Sequence, residues 1–297
     1  MVDLLHHGAP HVIAAAVLET RNGIALIDPG PESTLDALET ALTAAGASLA
    51  DVHTILLTHI HLDHAGATGS ILLSAPDARV YVHPIGAPHL VDPSRLLRSA
   101  ARLFGPAMGE LWGTCVPVPR GAIKTIEGSQ SLERDGITLD VTPTPGHASH
   151  HLCFFDRSTG IAFVGDAAGA RINDQPVILP ATPPPDVDPD RIDSSLDAIL
   201  GWHPDRFFLT HFGLASDPAA HAQQLRERLA EWSHRVRQSL NDPGTDEERA
   251  VRFGARVVQE IRESVSAHVA TAFERGAAPT LSWHGLARYW RSRLDEP

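Results

Sequence analysis

Between residues 55 and 66 an apolar run, Ile55-Leu56-Leu57-Thr58, gives way without a break to His59-Ile60-His61-Leu62-Asp63-His64-Ala65-Gly66. The run has the composition of a buried strand, and the segment after it carries four side chains of the kind that bind metal ions. His59 and His61 are two apart, so at the end of a strand they point the same way. Asp63 and His64 fall where the chain is expected to turn into the next helix, so one short loop faces four donors into one cavity. At about 6% occupancy per position, four fixed positions arise by chance on the order of 0.004 times in a chain of this length. Loops past strand ends are also where folds of layered sheets place chemistry.

Three more potential ligands follow, each just past an apolar strand: His147 after Thr144-Pro145-Gly146, Asp166 after residues 161–165, and His211 after residues 207–210. Histidine is abundant throughout, with 18 in 297 residues, so position rather than number singles these out. The two cysteines, Cys115 and Cys153, form no CxxC pair, which excludes a thiolate zinc ribbon and a disulfide framework. Two reduced thiols are expected, with Cys153 in the core. A formal charge of −12 disfavours a general nucleic-acid binder. No stretch reaches the roughly 20 apolar residues of a membrane span. The apolar run at 12–18 has no basic residues ahead of it, so it is a poor signal peptide and a cytoplasmic protein is expected.

Periodicity places short strands at residues 11–19 and 24–28, with Asn22-Gly23 as the hairpin turn between them. A helix is predicted over 33–45, begun by a Ser33/Asp36 capping box and ended by Gly46. Strand 55–58, helix 65–73, strand 79–82 and a helical stretch over 92–112 follow. Residues 113–165 read as strands, 167–190 as a long loop, 189–200 as a helix started by Asp188, and 206–210 as the last strand. Three helical patterns, 218–240, 245–274 and 280–294, complete the chain. Residues 1–215 carry all of the excess negative charge and the remainder is neutral. The expected boundary therefore separates a core of 1–215 from a helical extension of 216–297. Strands then helices, twice over, predict two sheets covered by helices on both outer faces.

In this order the landmarks resemble the metallo-β-lactamase superfamily: Asp28 in Ile27-Asp28-Pro29-Gly30, the His59-x-His61-x-Asp63-His64 loop, His147 after Pro145-Gly146, Asp166 after Val164-Gly165, and His211 after Leu209-Thr210. The resemblance covers about residues 10–215 and is far more specific for fold and metal than for substrate. It implies an α+β fold, the four-layer αβ/βα sandwich with a metal site at one edge of its two sheets, here with a C-terminal helical extension. Carried across by position, it implies that His59, His61 and His147 bind one metal, that Asp63, His64 and His211 bind a second, and that Asp166 bridges both. Asp28 would support the loop, or be a turn residue only. The implied cofactors are two divalent metal ions per chain: zinc, or iron or manganese, since His and Asp donors suit all three. Such a site supports attack by a hydroxide held between the metals. Asp63 is then a ligand only, or also a catalytic group that orients the hydroxide or relays a proton.

The bridging Asp166 resembles the glyoxalase II, lactonase and nuclease branches rather than the true β-lactamases. His61 separates the chain from flavodiiron relatives, which carry Glu there. The implied function is hydrolysis of a small thioester, ester or lactone. The alternatives are an RNA or phosphodiester endonuclease of the same fold, against which the acidic core stands, a mononuclear iron persulfide dioxygenase, and a non-catalytic binding module. The expected partners are a small-molecule substrate, no membrane, no nucleic acid, and a second copy of the chain if the helical extension is a dimer interface rather than a cap or lid. Two segments are candidates to line a substrate: the helical wall 84–112, with His83 and His89 beside it, and the loop 167–190 with Arg171, Asn173 and Asp174. His150 and His151 read as backbone-satisfied or strand-surface residues rather than ligands. Arg288, Arg291 and Arg293 read as solvated, or as an anion-binding face.

Overall fold

A computed structural model describes residues 1–171, 177–265 and 279–294. The first sheet takes its six strands in sequence order: β1 (Val2–Asp3), β2 (Ala14–Thr20), β3 (Gly23–Ile27), β4 (Val52–Leu56), β5 (Arg79–Val82) and β6 (Ile123–Thr125). Pairs from β3 to β6 are parallel, and β1, β2 and β3 pair antiparallel. The parallel steps carry α1 (Leu35–Ala44), then α2 (Leu62–Ala65) with α3 (Thr68–Ser74), then α4 (Ala87–Val91), α5 (Ser94–Phe104) and α6 (Met108–Trp112).

The later strands are β7 (Gln130–Arg134), β8 (Ile137–Pro143), β9 (Leu152–Asp156) and β10 (Ile161–Phe163), then the short pair β11 (Ala170–Arg171) and β12 (Ile178–Leu179), and finally β13 (Arg206–Leu209) and β14 (Gly213–Ser216). The second six-stranded sheet has the order β14-β13-β10-β9-β8-β7, and β11 pairs only with β12. α7 (Pro189–Leu200) precedes β13, and the chain ends in α8 (Pro218–Ser239), α9 (Asp246–Ser264) and α10 (Pro279–Leu294).

Strand side chains alternate between two apolar environments because successive residues face opposite sides of a sheet. Leu152 and Phe154 of β9, Phe163 of β10 and Phe208 of β13 meet Ala16, Ile27 and Leu56 of the first sheet in a cluster between the sheets. Their neighbours Cys153, Phe155, Ala162, Phe207 and Leu209 face outward into a second cluster with α7 to α10. On the far side of the first sheet, Leu26, Ile55 and Val80 pack with Leu38 and Leu42 of α1 and Ile71 and Leu72 of α3. The expected four-layer sandwich is the observed one. The outer cluster of the second sheet runs without interruption across residue 215, from Phe207 and Leu209 to Leu225, Trp232, Val257 and Trp283. No described helix is long and apolar enough to cross a membrane.

Several local expectations are corrected. The first hairpin turns at Arg21-Asn22, since Thr20 already pairs with Gly23. The turn is fixed from the other sheet, by Asp135, whose carbonyl accepts from the Arg21 N–H (2.7 Å) and whose side chain accepts from Asn22 (3.1 Å). The Ser33/Asp36 capping box does not form. A 3₁₀ turn over Glu32–Thr34 precedes α1, and the Ser33 hydroxyl donates instead to the Leu111 carbonyl at 2.7 Å. The strand over 206–210 is not the last, because β14 extends the sheet antiparallel to β13. Asp188 caps α7 as expected, accepting from the N–H groups of Asp190 and Arg191. The two cysteines are free, and Cys153 is buried.

Candidate metal centre

The edge where the two sheets meet is tied by backbone bonds between them: Leu152 N–H to the Thr58 carbonyl (2.7 Å) and Ala14 N–H to the Thr210 carbonyl (2.8 Å). Here β3, β4, β10 and β13 all end, delivering Asp28, the His59–His64 loop, Asp166 and His211 to one place, with His147 arriving from the loop after β8. Asp28 is 1% exposed and sits at the hub. One carboxylate oxygen accepts from the Thr58 N–H (2.8 Å), and the other accepts from the Thr58 hydroxyl (2.6 Å), His64 Nδ1 (2.8 Å) and the Thr210 hydroxyl (3.0 Å). It thus supports the histidine loop from beneath and is more than a turn residue. Gly165, just before Asp166, has φ +46°, and a Cβ there would stand 2.5 Å from the Thr58 hydroxyl, so the approach of the Asp166 strand to the loop needs glycine.

Three groups of donors converge, in each of which the ligand atoms lie within 4.8 Å of one another: His59, His61 and His147; Asp63, His64 and His211; and His59, His64 and Asp166. The two oxygens of Asp166 are divided between the first two groups. Oδ2 lies 3.4 Å from His147 Nε2, while Oδ1 lies 3.3 Å from His64 Nε2 and 3.7 Å from His211 Nε2. The arrangement brings together all seven residues expected from the sequence.

The protonation pattern shows that these residues fit metal ions. A carbonyl oxygen only accepts, so His147 Nδ1 must donate to the Ala181 carbonyl (2.8 Å) and His211 Nδ1 to the Val12 carbonyl (2.9 Å). His64 Nδ1 likewise donates to the Asp28 carboxylate. The Thr58 hydroxyl spends its hydrogen on Asp28, so it accepts from His59 Nδ1 at 3.1 Å. Each neutral ring is thereby left with a bare Nε2 lone pair pointing inward. His59 Nε2 and His147 Nε2 face each other at 3.2 Å, and His61 Nδ1 stands 3.0 Å from both. His64 Nε2 and Asp166 Oδ1 are buried and have no hydrogen-bond partner among the described residues. Lone pairs and carboxylates packed this closely repel unless cations lie among them, and His and Asp donors are the set that divalent zinc, iron and manganese accept.

His59 and His61 are shifted one way and His64 and His211 the other. Burial, reinforced by the surrounding histidines, holds His59 well below its ordinary range and pushes His61 down to about 3. Burial acts the same way on His64, but the carboxylates of Asp166, Asp63 and Asp28 outweigh it and hold that ring well above its ordinary range. His211 is raised for the same reason, through Asp166 and Asp63. A proton there does part of what a cation would do.

The donors open onto a cleft of about 570 Å³. One wall is Leu96, Leu103, Phe104 and Trp112 of the 84–112 segment, and the other is the proline run Pro183-Pro184-Pro185 of the long loop. Described residues of both candidate segments line this cleft. His89 lines the cleft, whereas His83 accepts from the Ile85 N–H. Arg171 turns its guanidinium to the Leu214 carbonyl (3.1 Å). Asn173 and Asp174 lie outside the described residues. His150 lines the cleft, and its buried Nε2 has no partner among the described residues. His151 has a structural task that the sequence reading left open: its Nε2 accepts from the Asp166 N–H (3.2 Å) and its Nδ1 meets the Thr144 hydroxyl (2.8 Å), which positions Asp166. The tail arginines are occupied, Arg288 on the Pro185 carbonyl, Arg291 on Asp246 and Arg293 on Asp190, so they present no anion-binding face.

Comparison with known proteins agrees with this geometry. The family model described as the metallo-beta-lactamase superfamily matches residues 8–211. A metallo-beta-lactamase fold-containing protein of Sulfurisphaera tokodaii is 26% identical over 215 residues, 71% of this chain and 80% of that protein. A thioesterase of Emericella nidulans is 30% identical over 112 residues, 38% of this chain and 23% of that enzyme, so the likeness spans less than a quarter of its length. Among solved structures, a metallo-beta-lactamase family protein of Thermus thermophilus superposes with a TM-score of 0.68 at 23% identity, covering 95% of this chain and 89% of the other, a likeness of fold. The matched span holds all seven converging donors together with Asp28, and the chain belongs to the metallo-beta-lactamase superfamily.

Proposed function

We propose that the protein is a dinuclear metal-dependent hydrolase of a small thioester, ester or lactone. In this reading His59, His61 and His147 hold one divalent cation, Asp63, His64 and His211 a second, and Asp166 bridges them. Residues 1–215 carry the catalytic centre, and the helices of 216–297 cap the second sheet and add Leu281 and Ser282 to the cleft lining. The observation that carries the substrate class is the apolar cleft opening on the donors. A nucleic-acid strand needs a basic groove along its phosphates, whereas aliphatic, aromatic and proline side chains suit an acyl group. The partial likeness to a thioesterase supports the same class.

Bound divalent cations supply Lewis acidity, lowering the pKa of a water toward about 7 and polarising a carbonyl oxygen. The chain's residues orient the reactants. Asp63 is half-buried at the cleft floor, with Oδ2 at 3.2 Å from His211 Nε2. Burial opposes its ionisation, but His64 and His211 prevail and hold the carboxyl below the ordinary range. It is therefore a carboxylate at neutral pH, placed to orient the attacking oxygen and to accept its proton. In a thioester the oxygen bonds to the carbonyl carbon, the carbon–sulfur bond breaks, and the sulfur leaves with the electron pair and takes up the proton. Purified protein is expected to hydrolyse members of a thioester, ester and lactone panel, to leave a phosphodiester intact, to lose activity on chelation and to regain it with zinc, iron or manganese. Activity indifferent to chelation, or confined to the phosphodiester, would sink this reading.

The opposed shifts of His59 and His61 against His64 and His211 give a further expectation. A cation entering the Asp63–His64–His211 group must displace protons that these carboxylates hold above the ordinary histidine range, so acid competes against it from neutral pH downward. His59 and His61 are already neutral there and offer no such competition. Lowering the pH from about 8 to about 5.5 should take metal content from about two per chain to about one before the rest is lost. Metal analysis after dialysis across that range checks it, and simultaneous loss of both ions would contradict it.

A further inference from the structure

The cleft is apolar, but one edge of it is not. Among the described residues lining it, Arg95 is the only lysine or arginine. It stands on α5, whose sequence Ser-Arg-Leu-Leu-Arg-Ser-Ala-Ala-Arg-Leu-Phe contains three arginines and no acid. Arg95, Arg98 and Arg102 are spaced i, i+3 and i+7, so they share one helix face about 10 Å long. Leu96, Ala100 and Leu103, on the adjoining face, line the cleft. The basic face therefore continues outward from the rim at Arg95.

The three arginines are exposed, and none forms an ion pair or hydrogen bond among the described residues. Asp92 lies near enough to feel Arg98, but its carboxylate accepts from the Ser94 N–H. In the C-terminal helices Arg226, Arg235, Arg249, Arg256, Arg291 and Arg293 are each paired with a carboxylate, while Arg237 lies over the Trp290 ring and Arg252 and Arg288 bond to backbone carbonyls. In a chain of net charge −12, three unneutralised guanidinium groups gathered on one helix face beside the cleft mouth suit an anionic ligand. Guanidinium groups at this spacing match phosphates, which they bind through charge-assisted hydrogen bonds.

We propose that Arg95, Arg98 and Arg102 dock phosphate groups carried on the leaving thiol of an acyl thioester, while the acyl group lies between the leucine–aromatic and proline walls. The assignment rests on the thioester reading of the metal centre and narrows it to thioesters of a phosphate-bearing thiol. A triplet confined to one helix face serves a compact phosphate cluster and not a long nucleic-acid tract.

The test compares two thioesters with the same acyl chain, one of coenzyme A and one of N-acetylcysteamine, which has no phosphate. The parent protein should show a KM about ten-fold or more lower for the coenzyme A thioester. The triple variant R95A/R98A/R102A should raise that KM about ten-fold, and the double variant R98A/R102A, which leaves the cleft lining intact, should raise it part of the way while leaving kcat and the N-acetylcysteamine kinetics unchanged. Calorimetry of coenzyme A alone with the metal-loaded protein should show the same loss of affinity in the variant, and in the parent a weakening with added salt. The three side chains are exposed, and the single variants R98A and R102A, each giving part of the effect, guard against a folding defect in the triple. Equal KM values for the two leaving groups in the parent, or a triple variant indistinguishable from it, would overturn the arginine edge and leave thioester hydrolysis standing. Failure to turn over either thioester, with metal-dependent activity on a phosphodiester instead, would overturn the thioester reading and this proposal with it. Binding of single-stranded RNA through the three arginines with no binding of coenzyme A would also overturn it.

Discussion

Replacing Asp166 with asparagine is expected to lower kcat/KM about 1,000-fold or more and to reduce metal content below the parent's. Its two oxygens lie on either side of the boundary between the His59–His61–His147 and Asp63–His64–His211 groups, at 3.4 Å from His147 Nε2 and 3.3 Å from His64 Nε2. Among the described residues no other carboxylate faces both. Asparagine keeps the size but removes the charge and turns an N–H₂ toward one of the two groups of lone pairs. A lost Lewis-acid contribution of several kcal/mol corresponds to about three decades of rate. Burial and the His151 contact to the backbone N–H are unaffected by the exchange, so the fold should persist and far-UV circular dichroism should match the parent. Metal analysis and kinetics on the same preparation decide the matter. A variant that keeps full metal content and activity within about ten-fold of the parent would show that Asp166 does not bridge.

How far this centre was legible from the sequence depends on the range of the interaction concerned. His59, His61, Asp63 and His64 stand in one loop past an apolar run, and His147, Asp166 and His211 each follow another such run, so strand ends alone located the donors. The strands themselves were legible as apolar runs, but which of Phe154 and Phe155, or of Phe207 and Phe208, faces the other sheet was not, since both members of each pair are apolar. What stayed hidden depended on a distant partner. The Ser33 hydroxyl has a respectable capping position but finds the Leu111 carbonyl, 78 residues on. The role of His151 follows from the Asp166 N–H, which arrives on a different strand. β14 is a four-residue edge, Gly-Leu-Ala-Ser, too short and too weakly apolar to be read before β13 is in place. The charge boundary near residue 215 marks a change in surface composition, and charge says nothing of the apolar cluster that crosses it.

That shared cluster leads to the second large effect, on stability: Trp283→Ala is expected to cost about 3–5 kcal/mol. Trp283 is 0% exposed, lies on α10, and belongs to the same apolar cluster as Phe207 and Leu209 of β13. Its indole N–H donates to the Ser239 hydroxyl of α8 at 2.8 Å, and that hydroxyl keeps a bond to the Val236 carbonyl when the indole is gone. The cost is therefore mainly the transfer free energy and the cavity, and little of it an unsatisfied polar group. Collapse around the cavity is restricted because α10 is held at close range nearby. A Cβ at Gly285 would stand 2.1 Å from the Thr182 carbonyl, so the helix backbone rests directly on the segment that leads into the proline wall of the cleft. Trp290 provides the comparison. It is only partly buried and bonds to Ser233, so Trp290→Ala should cost distinctly less. With a total stability on the order of 5–15 kcal/mol for a domain, the Trp283 variant should fold with a much lower urea midpoint. Urea unfolding of the metal-free parent and both variants checks the order. A Trp283→Ala cost under about 1 kcal/mol, or one no larger than that of Trp290→Ala, would mean that α10 is a dispensable appendage and not part of the core behind the metal centre.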